Sequence, residues 1–197
     1  MASRLITDYP QSNQPPKIIT CTDGTEVLVD AEDYPLLARH SWYINYSADK
    51  PYVITKMKTD QSTIWRCIFM HHMILGGGST TDHKNGNTLD NQKYNLRSAT
   101  VQENGWNTRK RMVTSRGTPP TSLYKGVSRY TNTNGDFLWR VIIKLTKKNV
   151  KPEKFLRKSG FKTEIEAAQY YDEEILKLRG KWAFLNFPLS KEGGSNG

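Results

Sequence analysis

Residues 70–107 read MHHMILGGGSTTDHKNGNTLDNQKYNLRSATVQENGWN, and the fold of the N-terminal half turns on how this stretch is parsed. It carries three of the chain's four histidines, the adjacent pair Asp82-His83 and a density of asparagines that a packing surface does not need. Phe69-Met70-His71-His72 reads as the end of a strand, Gly76-Gly77-Gly78 as a hinge, and Thr80-Thr81-Asp82-His83 as a short extended segment. Residues 84–91 follow as a loop and 94–98 as a second extended segment, and Thr100-x-x-Glu103 is a capping box that opens a helix through about Arg109. The order strand, loop, strand, helix lets Asp82 and His83, at the end of one strand, converge with Asn104 in the first turn of the helix.

What surrounds the stretch is limited by composition. The 197 residues suit one medium domain or two small ones, and 36% hydrophobic with 11% aromatic content is enough to bury a core. A formal charge of +10 favours a polyanionic partner, nucleic acid or an acidic membrane. No apolar run approaches the roughly 20 residues a bilayer span needs, and MASRLITDYPQSNQPP at the N-terminus lacks an apolar signal core. A cytoplasmic protein acting on nucleic acid, with no membrane partner, is the expectation. Cys21 and Cys67 have no CxxC partner, so buried, reduced thiols are expected rather than zinc ligands.

Upstream, residues 1–16 are polar and end in Gln14-Pro15-Pro16, a flexible lead-in. The β-rich runs 17–21 and 26–29 flank Thr22-Asp23-Gly24 as a hairpin, a short helix follows from Asp30 or Asp33 to His40, and 42–46, 52–56 and 64–70 read as strands. His40 is expected to be a helix-end residue without a chemical role.

The residues of the opening stretch resemble the HNH endonucleases, the ββα-metal nucleases, and in particular the homing endonucleases of phage introns and intergenic regions. The segment DHKNGNTLDNQKYNLRSAT carries the likeness, and the separation of 22 residues between Asp82 and Asn104 fits it. The resemblance implies a ββα-metal motif over about 68–109 inserted in a mixed β module spanning 17–111. It implies Asp82 and Asn104 as ligands of one divalent metal, Mg²⁺ or Mn²⁺, with His83 as general base and Asn95 as the brace of the loop. A hard cation suits one carboxylate and one amide oxygen, with positions left for phosphate and the leaving oxygen. His83 has an ordinary pKa suited to taking a proton from water. His71 matches a family histidine while His72 stands where the family has arginine; each is a candidate for the active site or for phosphate, and a core role for His71 is an equal alternative. Arg97 is either a phosphate clamp or a solvated strand-end charge.

No acidic residue lies between Gly105 and Gly135, whereas Arg109, Lys110, Arg111, Arg116, Lys125 and Arg129 are basic. With Gly117, Pro119 and Pro120, residues 112–122 read as a basic linker that tracks DNA, and about six phosphate contacts give a log–log salt slope near −5. Beyond it, three strands at 124–130, 137–146 and 154–161 precede a helix opened by the box Thr163-x-x-Glu166 and closed near Gly180. Tyr124-Lys125-Gly126-Val127, Trp139, Gly160-Phe161-Lys162-Thr163, Glu166-Ala167-Ala168, Tyr171-Asp172, Arg179-Gly180 and Asn186-Phe187-Pro188 make residues 123–188 resemble the Apetala-two/ethylene-response-factor DNA-binding domain. That family lays its sheet in the major groove, which implies Lys125, Arg129, Arg140, Lys144 and Arg157 as DNA contacts. Trp139 is either a base contact or core. The tail 189–197 is expected to be flexible.

The fold expected is therefore α+β: an N-terminal mixed β module with the ββα insertion, then a three-stranded sheet with one packed helix. The function expected is a site-specific endonuclease acting on double-stranded DNA, as monomer or homodimer, in a bacterial host cell if phage-encoded. A DNA-binding regulator that keeps the motif only as a scaffold is the alternative, and an RNA-directed protein a third.

Overall fold

Asp23 and Gly24 close the first hairpin, β1 (Lys17–Thr20) against β2 (Glu26–Val29). Gly24 takes φ +85, and the Asp23 carboxylate accepts the Thr25 N–H at 3.0 Å, so the turn is set by its own residues. In the computed structural model, residues 9–47, 50–58, 64–77, 80–110, 112, 117–145 and 151–188 are described. Arg111 and Arg116, Gly78 of the expected hinge, and the expected tail 189–197 lie outside them.

A one-turn helix, α1 (Tyr34–Leu37), leads to an antiparallel sheet of β3 (Tyr43–Ser47), β4 (Lys50–Lys58) and β5 (Trp65–Phe69), with β4 central. Helix α1 ends three residues before His40, whose ring instead meets Trp42 edge-on at 6.0 Å. The core joins Ile19, Val27 and Val29 of the hairpin to Leu37, Trp42, Val53 and Met70. Trp42 satisfies its indole N–H on the Leu37 carbonyl at 2.8 Å, as a buried tryptophan must.

After β5 the chain does not remain extended: Met70–Leu75 is a helix, α2, so His71 and His72 are helical and not strand-end residues. Met70, Met73 and Ile74 fall at i, i+3, i+4 and pack on the core, a period only a helix can satisfy. Gly76 ends it in the left-handed region at φ +76. The ribbon β6 (Thr81–His83) with β7 (Leu96–Ser98) follows, then helix α3 (Val101–Trp106). Residues Lys93–Asn95 form a 3-10 turn, so extension begins only at Leu96. Thr100 and Glu103 form the expected capping box, Glu103 bonding the Thr100 N–H at 2.7 Å and Thr100 Oγ1 accepting the Glu103 N–H at 3.1 Å.

The chain divides into two compact units at Asn104/Gly105, earlier than the expected boundary at 112–122. The reason is local. Lys125 Nζ donates to the carbonyls of Trp106 (2.9 Å) and Thr108 (2.6 Å), Lys110 Nζ to those of Tyr124 (2.7 Å) and Val127 (2.8 Å), and the Arg179 guanidinium lies 5.2 Å from the Trp106 ring. Residues 106–110 thus belong to the second unit, and α3 stops at Trp106 rather than Arg109.

The second unit is the sheet β8 (Val127–Thr131), β9 (Phe137–Lys144), β10 (Phe155–Phe161), with β9 central, covered by α4 (Glu164–Arg179). Both bonds of the Thr163/Glu166 capping box are present. Val127, Val141 and Ile143 face Ala167, Ala168, Tyr171 and Ile175, with Trp139 packed against them as core. Asp172 accepts the N–H groups of Asn186 and Phe187, each at 2.8 Å, which fixes the C-terminal strap. No helix among the described residues is long and apolar enough to cross a membrane.

Candidate active site

The loop between β6 and β7 is held from inside and from outside. Inside, Asn95, fully buried, accepts the Asn85 N–H at 2.9 Å and donates to the Asp90 carbonyl at 2.7 Å, so one amide pins two points of the loop. Asp90 accepts from Asn85 Nδ2 (2.8 Å) and the Tyr94 hydroxyl (3.2 Å). Outside, Leu28 of β2 exchanges backbone bonds with Leu89 (3.0 Å) and Asn91 (2.8 Å), the Asp30 carboxylate accepts the Lys93 N–H at 2.7 Å, and Thr88 Oγ1 donates to the Pro51 carbonyl. Asp30 escapes a reading of the sequence because its partners Gln92 and Lys93 lie more than sixty residues away, whereas Asp90 and Asn91 bond nearby side chains, Asn85, Tyr94 and His83, inside a stretch whose Asn/Asp density is their only trace.

Asp82 and Arg97 stand opposite each other in the β6–β7 register, and Arg97 Nε and Nη2 both reach Asp82 Oδ2, at 2.7 and 2.6 Å. Both side chains are buried. Arg97 is therefore neither a solvated charge nor directed at an external phosphate in this state; it neutralises Asp82. His83, the next residue, turns to the other face of the ribbon and is also buried.

His83 belongs to a ring cluster built from four elements. Its centroid lies 5.3 Å from His71 of α2 and 6.4 Å from Tyr52 of β4, while His71 stacks on Phe69 of β5 at 5.2 Å and meets His72 at 4.6 Å. All three histidines of the opening stretch thus come together, His71 buried and His72 half-buried. Burial, followed by the charges of His83 and His72, pushes the His71 pKa down to about 3. Burial likewise pushes His83 down to about 4, opposed by its bond to Asn91. Both imidazoles are neutral at pH 7. Asn91 Nδ2 donates to the Thr88 carbonyl at 3.2 Å, which turns Oδ1 toward His83 Nε2 at 3.4 Å. An amide oxygen only accepts, so that contact puts the ring proton on Nε2 and the lone pair on Nδ1.

Asn104 is half-buried on α3, its N–H bonded to the Thr100 carbonyl at 3.0 Å. The oxygens of Asp82 and Asn104 are hard donors of the kind Mg²⁺ and Mn²⁺ take, so the donor chemistry fits such a cation, with Arg97 already on one Asp82 oxygen. Among the described residues, three acidic or metal-ligating groups come within 4.8 Å of one another at Asp30, Glu32 and Asp33. Lys93 Nζ sits on Glu32 at 2.6 Å and Asp33 at 2.9 Å, supplying that cluster with its own cation.

The basic residues divide into those that hold backbone and those that face outward. Lys110 and Lys125 are committed to carbonyls, and burial lowers the Lys110 pKa. Arg129 pairs with Trp139, which puts it on the helix side of the sheet, over Phe137 at 4.9 Å, and not on the open face. Arg140 and Arg157 are on the open face: Arg140 donates to Ser128 Oγ at 3.2 Å beside the Tyr130 ring, and Arg157 lies 4.6 Å from the Phe155 ring. Lys144 shares that face, with its ammonium on Glu153 at 2.5 Å. Arg109 is exposed. In the first unit a cleft of about 700 Å³ lined by Arg39, His40, Tyr43, Lys56, Trp65 and Cys67 has no carboxylate among its described lining residues. Cys67 opens onto it, exposed rather than buried, because it pairs with Lys56 on the outer side of the sheet; Cys21 is buried as expected.

Compared with models of known families, with curated proteins and with solved structures, the chain matches none.

Proposed function

We propose that the protein is a site-specific DNA endonuclease of the HNH type, with catalysis in the first unit and target binding in the second. One observation carries this reading: adjacent Asp82 and His83 on a two-stranded ribbon, a loop pinned across by Asn95, and a capped helix bearing Asn104 directly after the second strand. Mg²⁺ or Mn²⁺, held by Asp82 and Asn104, would supply charge stabilisation to the scissile phosphate and the departing oxygen. His83, neutral through burial and oriented by Asn91, accepts the proton of the attacking water at Nδ1. Asn95 keeps the loop in register with that base.

Arg140 and Arg157, each ordered against an aromatic ring on the open sheet face, support duplex DNA as the partner of the second unit. The cleft with Arg39, Lys56, Tyr43 and Trp65 supports a further DNA contact on the first. The buried Asp82–Arg97 pair favours a second reading, a DNA-binding regulator in which the motif serves as scaffold. Incubating a plasmid library with the full chain in Mg²⁺ or Mn²⁺, with and without EDTA, and sequencing the ends separates the two. Metal-dependent ends at one recurring sequence are expected; intact plasmid under every condition overturns the nuclease.

A further inference from the structure

We infer that Arg97 is the resident cation of Asp82, and that a divalent cation reaches Asp82 only in exchange with it. The inference rests on the proposed role of Asp82 as a metal ligand. Two guanidinium nitrogens on a single carboxylate oxygen, at 2.7 and 2.6 Å, cancel the charge that would attract a metal ion. Both residues are within 5% of full burial, and the ladder places them directly opposite, so water screens the pair little and the backbone holds it in place. A divalent ion and a guanidinium on the same buried carboxylate repel each other strongly at that separation, so the two cations compete for it.

The exchange requires a second anion to receive Arg97, and a DNA phosphate has the geometry that a guanidinium fork matches. DNA arriving at the site would therefore draw Arg97 off Asp82 and leave the carboxylate to the metal ion. Metal affinity and DNA affinity then raise each other, as linkage requires. The neutral pair keeps the fold intact without metal, because a buried carboxylate left without a partner is strongly destabilising. This also accounts for the presence of the pair in a site of the proposed kind, where it maintains the apo state.

The test is calorimetric titration of the full chain with Mn²⁺ alone, without DNA. Arg97→Met is expected to bind Mn²⁺ roughly tenfold tighter than the unaltered chain, since the competing charge is gone, and Arg97→Lys to stay close to the unaltered chain. Adding Asp82→Asn to Arg97→Met is expected to abolish the gain. Equal or weaker binding by Arg97→Met, or a gain that survives Asp82→Asn, overturns the inference. If Arg97→Met does not fold in metal-free buffer, millimolar Mn²⁺ must restore its circular dichroism where matched sodium chloride does not; failure to restore it also overturns the inference. A chain that shows this exchange yet cuts no DNA refutes the nuclease alone, whereas cleavage with Mn²⁺ affinity indifferent to Arg97 refutes the exchange alone.

Discussion

Asn95→Ala tests the framework on which the site depends. Asn95 is 1% exposed and makes two bonds, accepting from Asn85 N–H at 2.9 Å and donating to the Asp90 carbonyl at 2.7 Å. Alanine leaves the Asp90 carbonyl buried without that donor, a loss of about 1–3 kcal/mol, while the N–H of exposed Asn85 turns to water at about 0.5–1 kcal/mol. The expected destabilisation of the first unit is thus about 1.5–4 kcal/mol. Asn95→Asp keeps the bond from Asn85 but sets a charged oxygen against the Asp90 carbonyl, so it should cost at least as much as alanine. Urea unfolding of the full chain gives the global value, and amide hydrogen exchange over residues 84–95 reports whether the loop has loosened. A shift below about 0.5 kcal/mol with unchanged loop protection would refute the bracing role.

Gly126→Ala should destabilise the second unit by about 3 kcal/mol or more, because a Cβ at φ +77 would lie 2.1 Å from the Tyr171 ring; thermal unfolding with an unchanged midpoint would contradict the packing described. His71 and His83 have folded pKa values lowered to about 3 and about 4 against 6.5 in the unfolded chain, so the unfolded state binds more protons below pH 6.5. Their stability contribution is full above pH 6.5 and is lost as pH falls toward 4, roughly 2 kcal/mol per buried imidazole by pH 5. Urea midpoints at pH 7 and pH 5 should show it, and His71→Phe should remove about half of the difference; a pH-independent midpoint would oppose it. Replacing Arg140 and Arg157 together by alanine should lower the log–log salt slope of DNA binding by about 1.8, from the loss of two phosphate neutralisations, and an unchanged slope would remove the open sheet face as the DNA surface.

Local signals in the sequence carried over into the structure with little change. Thr100/Glu103 and Thr163/Glu166 cap helices where their spacing placed them, and Asp23-Gly24 turns the first hairpin. Each depends on residues within a few positions of one another. What was not legible depends on register or on distant partners. Arg97 meets Asp82 because the ribbon pairs them, and once His83 is set opposite Leu96 the contact follows. Arg129 shares a face with Trp139 by the same alternation, so treating both Arg129 and Arg140 as open-face residues conflicts with their register. Lys110 and Lys125 gave no sign of their structural use, since backbone carbonyl partners have no sequence signature. Helix α2 is the exception: Met70, Met73 and Ile74 keep a helical period, but the preceding β-rich run draws Met70, His71 and His72 into the strand.

On the proposed nuclease reading, a base with a pKa near 4 would leave the cleavage rate flat from pH 8 down to about 5. The most direct measurement of the central claim compares His83→Ala with the unaltered chain in single-turnover cleavage with Mn²⁺, alongside gel-shift affinity at fixed salt. Loss of roughly a hundredfold or more in rate with affinity nearly unchanged is the predicted result. An unchanged rate, or a loss of binding equal to the loss of cleavage, would contradict His83 as the general base of a DNA endonuclease.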